Sequence, residues 1–263
     1  RRVLFRSYKH SSQKGYQTKR AYLLKGEKLP PGEFGVMHGY MKIPELKKVC
    51  HAYGVSINEY LVAVYVWSVY TECMHGMPSE RPVRVAVPVN LRPYFNSITT
   101  KNFFVMVSAE FHPTKEIYTF EEVLKSVSES LRSQISRENL EKLFSYNVSN
   151  EKLLAARIVP LFLKNLAMRY VYTTSALANT ATVTNIGNIS VSEEYRPYVE
   201  MFHAFLAMSK GQHLKGTICS YGDTLVFSFS YDLTDTSVQR GFFRKIAADG
   251  IAVEIETNGV NYE

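Results

Sequence analysis

Seven histidines and three cysteines are the side chains of this 263-residue chain best suited to proton transfer, nucleophilic attack or metal binding. The histidines are His10, His38, His51, His75, His112, His203 and His213. No two stand at the HxH or HxxxH spacing that brings two imidazoles onto one metal ion, and HExxH does not occur. No metal site is expected. His38 lies in VMHGYM and His203 in MFHAFLAM, both strand-like runs, and each reads as a strand histidine rather than a catalytic base. Cys50, Cys73 and Cys219 are odd in number and far apart, with no CxxC. Free thiols in a reducing, cytoplasmic compartment fit that usage. Cys219 could be a nucleophile, but nothing adjacent in the sequence would activate it, so a half-buried thiol is expected. G-x-S-x-G, the P-loop and GxGxxG are all absent.

Arg92 has a more suggestive setting. It sits in VRVAVPVNLRPYFNSITTKNFFVMVSAEF, from Val83 to Phe111. Val83, Val85, Val87 and Val89 alternate with other residues, which predicts a strand, and Pro88 lies near its end, where a missing N–H costs least. Phe103 to Phe111 predicts a second strand after a polar elbow. An Arg where a hydrophobic strand breaks off can hold a carboxylate in a bidentate pair, or it can simply cap the strand end.

The elements around it mix both periodicities. Gly35 to Ile43 predicts a strand. Pro44 opens a helix with Leu46, Val49 and Cys50 inward, and Gly54 stops it. Ser56 and Glu59 form a capping box that starts a helix from Ile57 to Met74, apolar on most sides and so expected to be buried. Thr119 to Arg137 predicts an amphipathic helix, and Glu151 to about Tyr170 a further helical region that Pro160 kinks or divides. Thr180 to Ile186 predicts a strand ending in the turn chemistry of Asn185-Ile186-Gly187-Asn188. Val199 to Met208 predicts another strand. Leu214 to Tyr221 and Leu225 to Tyr231 predict a hairpin turning at Gly222–Asp223. Asp235 is expected to cap a helix from Ser237 to Ala248, and Ile251 to Glu256 to close the chain as a strand, with the late strands in a meander. The fold class is α/β, a mixed-sheet two-layer α+β sandwich.

Composition narrows the function. Hydrophobic residues make up 46% of the chain and charged residues 21%, enough apolar surface for a sizeable core. The most apolar stretch, Leu153 to Tyr172, carries Arg157, Lys164 and Arg169, too much charge for a bilayer span. The net charge of +7 raises nucleic acid as a partner, but the dense basic run, Arg1 to Lys28, lacks interleaved aromatic signatures and zinc spacing. A basic surface serves a phosphate-bearing small molecule equally well. No nucleic-acid partner is expected. The run reads as a connector, with residues 1–34 leading into a domain of residues 35–263.

The order of elements carries more information than any single residue. KIPELKKVCHAYGVSINEYLVAVYVWSV, then VRVAVPVNLRP, then KNFFVMVSAEF resembles the C-terminal half of the chloramphenicol acetyltransferase-like superfamily, which includes condensation domains and alcohol acetyltransferases. The matching positions are Gly54 to Val64, Pro88 to Arg92, Asn102 to Val105 and, later, Thr184-Asn185-Ile186-Gly187. With no carrier domain and no plant-type DFGWG, the chain is most similar to stand-alone alcohol or condensation-type acyltransferases.

That resemblance implies two similar halves around a channel. The first half carries HHxxxDG, whose second His is the base that deprotonates an alcohol or amine acceptor attacking a thioester on coenzyme A or a carrier protein. This chain has no HHxxxDG. At the equivalent place stands Ser230 to Thr236, with Tyr231 where the base would be and Asp235 keeping the acidic position, a degenerate copy. By the same resemblance, Arg92 pairs across the halves with the motif's Asp, and Thr184, Asn185 and Gly187 line the channel. Asn185 then either donates to the oxyanion or acceptor, or serves only a turn. No covalently bound cofactor is implied, and acyl-coenzyme A enters as co-substrate. The partners are an N-terminal half of the same protein, a thioester donor and an alcohol or amine acceptor. The exposed face of a lone half is also a route to self-association. A non-catalytic binding or assembly domain that kept the half-fold is the alternative.

Overall fold

A computed structural model describes residues 19–100, 102–152, 159–209 and 211–259 of the chain. Residues 1–18 of the basic run and 153–158 of the apolar stretch therefore lie outside the described residues.

The expected early elements form where the local chemistry puts them. Strand β1 spans Gly35–Lys42 and helix α1 Ile43–Tyr53, with Gly54 ending it in the left-handed conformation at φ 68°. Helix α2, Ile57–Ser68, begins with both halves of the Ser56/Glu59 capping box made: Glu59 N–H donates to Ser56 Oγ at 3.2 Å and Ser56 N–H to Glu59 Oε2 at 2.7 Å. It runs into a π-helical turn, Val69–Cys73. Tyr60 through Val66 are fully buried, as an all-round apolar helix requires.

Strand β2, Val83–Asn90, and β3, Phe104–Phe111, flank an elbow holding one helical turn, Arg92–Phe95. Helix α3 covers Phe120–Gln134, capped by Thr119 and Glu122. Arg137 does not belong to it: the chain leaves the helix at Ile135, and Arg137–Lys152 forms a separate helix, α4. Helix α5, Leu161–Leu177, starts directly after Pro160, whose ψ of 145° is extended, so the proline stands at the start of this helix rather than within it. Strand β4 is Ala181–Asn188, β5 Leu214–Tyr221, β6 Thr224–Tyr231, helix α6 Ser237–Ala248 and β7 Val253–Thr257.

The strands form one seven-stranded mixed sheet in the order β3-β2-β4-β5-β6-β1-β7. The pairs β2–β4 and β4–β5 are parallel and the remaining pairs antiparallel. The late strands are a hairpin but not a meander. The first strand, β1, inserts between β6 and β7, because pairing with Tyr231 through Thr224 sets its buried residues under α6.

Helices α2, α3 and α6 pack on one face, with α2 against both of the others. Val85, Val87, Val107, Ile218, Phe227 and Phe229 point into this layer. Phe227, Phe229, Phe242 and Phe243 stack there with centroids 4.4 to 5.7 Å apart, pairs worth about 1 kcal/mol each beyond burial. The outer strand β3 is not left open. Ser130 Oγ and Gln134 Oε1 of α3 accept from Glu110 and Ser108 N–H, both at 3.1 Å, which satisfies the strand's free backbone groups.

Residues 199–208 are not a strand. The segment crosses the other face of the sheet, and side chains rather than a neighbouring strand take its carbonyls. Cys219 Sγ donates to Phe202 O at 3.1 Å, Ser230 Oγ to Leu206 O at 2.6 Å and Lys215 Nζ to Ala207 O at 2.7 Å.

Candidate functional site

Because β2, β4 and β5 run parallel, their C-terminal ends share one edge of the sheet, and that edge collects most of the expected site. Asn185 and Gly187 sit where β4 shifts register against β5. Gly187 takes φ 86°, which only glycine adopts cheaply, and its N–H donates to Asn185 Oδ1 at 2.8 Å. The oxygen of Asn185 thus serves the turn. Its amide nitrogen donates to Asn58 Oδ1 at 3.5 Å, a long contact that ties β4 to the first turn of α2. The turn role and the donor role are therefore compatible: the oxygen anchors the carboxamide while the exposed N–H₂ faces the edge.

Arg92 is on the loop leaving β2 at the same edge. Its Nε donates to Thr99 O at 3.0 Å and its Nη1 to Asn90 Oδ1 at 3.3 Å, so the guanidinium braces the elbow.

Tyr231 and Asp235 lie at the opposite edge, since β6 runs antiparallel to β5 and Tyr231 pairs with Leu214. Tyr231 is 3% exposed. Its ring lies over Gly35 so closely that a side-chain carbon there would start 2.1 Å from it. Asp235 Oδ1 accepts from Ser237 N–H at 2.8 Å and Oδ2 from Ser237 Oγ at 3.0 Å, but the N-cap position of α6 is Thr236 rather than the expected Asp235. Beside them His213 Nδ1 and Asp232 Oδ1 stand 2.8 Å apart, a pair with no local sequence signal.

Thr184 begins a polar row that crosses five strands: Thr184, Thr217, Ser228, His38 and Glu256 are successive cross-strand partners. His38 Nδ1 lies 2.7 Å from Ser228 Oγ. The ring of His203 stacks on His38 with centroids 4.5 Å apart, and its Nε2 lies 2.8 Å from the Tyr40 hydroxyl. Tyr40 in turn donates to Glu256. Burial, with His203 nearby, pushes the His38 imidazole below its usual range, against the upward pull of Glu256. His38 lies on a strand as expected, whereas His203 does not. Alternation along β1 could have placed His38 and Tyr40 on one face, but nothing local says that residue 203 crosses above them.

Cys50 and Cys219 are buried and Cys73 half-buried, all as free thiols. Burial pushes the thiol of Cys50 up to about 12 and raises that of Cys219, which makes neither a ready nucleophile. Among the described residues no cluster of His, Cys, Asp or Glu is placed to hold a metal ion, and no helix is long and apolar enough to cross a membrane.

Sequence comparison finds no matching family profile and no matching curated protein. Solved structures do match. The nonribosomal peptide synthetase FmoA3 superposes with a TM-score of 0.55 over 88% of this chain, at 16% identity. The chain carries the chloramphenicol acetyltransferase-like fold. TRI3 trichothecene 15-O-acetyltransferase from Fusarium sporotrichioides matches 86% of it with a TM-score of 0.55 and 14% identity. The cyclization-docking bidomain of EpoB from Sorangium cellulosum matches 94% at 0.54 and 12%. The chain spans only 22% of the FmoA3 structure, 48% of TRI3 and 47% of EpoB.

Proposed function

We propose that this chain is the C-terminal half of a coenzyme A-dependent acyltransferase, forming channel walls for a catalytic HHxxxDG carried by an N-terminal half. The observation that carries the reading is the edge where Asn185 and Gly187, Thr184 beside them and Arg92 gather at the C-terminal ends of parallel strands, in a fold that covers about half of an acetyltransferase. In the transfer, the base of the other half takes the proton of an alcohol or amine acceptor. The freed lone pair attacks the thioester carbonyl, the C–S bond breaks, and the thiolate leaves with that proton. Asn185 Nδ2 supplies a fixed donor for the developing oxyanion or the acceptor. Arg92 holds the elbow in the shape that meets the motif's Asp across the interface.

Calorimetry of acyl-coenzyme A with the intact protein tests this reading. Binding, together with thioester consumption that stops when the second His of HHxxxDG is replaced, supports it. Absence of binding and of consumption overturns it.

A non-catalytic binding or assembly domain is the second reading; the buried Tyr231 fits both. That reading predicts no acyl transfer even with the neighbouring half present.

A further inference from the structure

At the β1–β7 side of the sheet lies a cleft of about 1100 Å³, bounded on its outer wall by residues 198–203. Its lining includes Tyr40, Tyr198, Glu200, His203, Glu254 and Glu256. The hydrogen bonds within it fix where the protons are. An ionised carboxylate only accepts, so the Tyr40 hydroxyl donates its hydrogen bond to Glu256. The same oxygen must then accept from His203, whose Nε2 carries the hydrogen. Stacking on His38 holds the ring in this orientation.

The charge around Tyr40 is one-sided. Glu200, Glu254 and Glu256 all lie near enough to Tyr40 to add to the effect of burial in raising its phenol. Lys42, also in the lining, is turned aside to Asp223 at 3.1 Å and Thr224 at 3.2 Å. Tyr198, 85% exposed, offers an open ring face. Carboxylates and an aromatic face together suit a cation that has hydrogens to donate. They form an acidic recess in a chain of net charge +7.

We propose that this cleft is a subsite for a primary ammonium group, the amine-bearing end of an elongated acceptor. The word acceptor rests on the acyl-transfer reading; the binding itself does not. Strand β1 runs in the same direction as β4 and lies three strand spacings from it in the sheet, roughly 14 Å at about 4.8 Å each. A molecule reacting beside Asn185 would have to reach the cleft with a distal amine.

Titration calorimetry of the intact protein with benzylamine and with its isostere benzyl alcohol tests this. Benzylamine is expected to bind roughly tenfold or more tightly than the alcohol, and to weaken as salt is added. Glu254→Gln and His203→Ala should each reduce the affinity for the amine and leave the alcohol unchanged. Both side chains are exposed, and unchanged melting curves would show that the variants fold. Equal binding of the two probes, no binding of either, or amine binding that survives both substitutions overturns the proposal. Amine binding without thioester consumption would overturn the acyl-transfer reading and leave the subsite standing. Consumption without amine preference would overturn the subsite alone.

Discussion

Arg84 shows how much a single residue can hold in this fold. It is 2% exposed, pairs with Glu110 at 2.8 Å, and donates from Nη1 to Ala178 O at 2.6 Å and Lys19 O at 3.0 Å. Removing the guanidinium leaves Glu110 with His112 alone and takes the donor from two carbonyls, so Arg84→Leu is expected to cost about 3 kcal/mol, read as a lowered denaturant midpoint. Burial opposes ionisation of Glu110, but the hydrogen bond and charge of Arg84 outweigh it and hold the carboxyl below its ordinary value of 4.5. His38 is held below its ordinary 6.5 by burial and by His203. In both cases the unfolded chain binds the proton more tightly, so stability is lost as pH falls. Unfolding measured against pH should show a first loss below about 6.5 from His38 and a second below 4.5 from Glu110. His38→Gln should remove the first loss and keep the second. At this scale, what the sequence made legible was local. The Ser56/Glu59 box and the Asn185–Gly187 turn are written in adjacent residues. The His203–Tyr40–Glu256 chain is not, because it joins residues from three separate parts of the sequence.

Among the elements, the segment 199–208 is the instructive case. MFHAFLAM alternates as a strand does, yet alternation records only which face of an extended chain is apolar, not whether a neighbour takes its hydrogen bonds. Here Ser230, Lys215 and Cys219 satisfy its carbonyls instead. Ser230→Ala should loosen the segment by about 1 kcal/mol, seen as faster hydrogen exchange confined to residues near Leu206 while the sheet stays protected. Helix α5 carries apolar residues on its surface. Phe162 and Leu166 are 70% and 66% exposed, so its apolar residues do not face this chain's own core. A lone chain with that surface is expected to self-associate. Replacing both residues with Glu should return it to a monomer in sedimentation experiments.

On the scale of the whole molecule, the mixed sheet and its helical layer followed from periodicity, and their likeness to an acyltransferase half followed from the order of elements. Strand order did not. That β1 slots between β6 and β7 depends on long-range pairing, and no turn between adjacent strands specifies it. The same order places Arg92 and Asn185 at one edge and Tyr231 and Asp235 at the other, where Tyr231 is core and Asp235 exposed. The account stands on the edge. Thiol release from acyl-coenzyme A by the intact protein, compared with Asn185→Ala, tests it most directly. Loss of a fixed oxyanion donor predicts a kcat lower by about a hundredfold, in a protein that loses about 1 kcal/mol of stability with the turn's hydrogen bond but stays folded. Release at an undiminished rate in a folded Asn185→Ala protein, or no release from the wild type with any alcohol or amine, would contradict it.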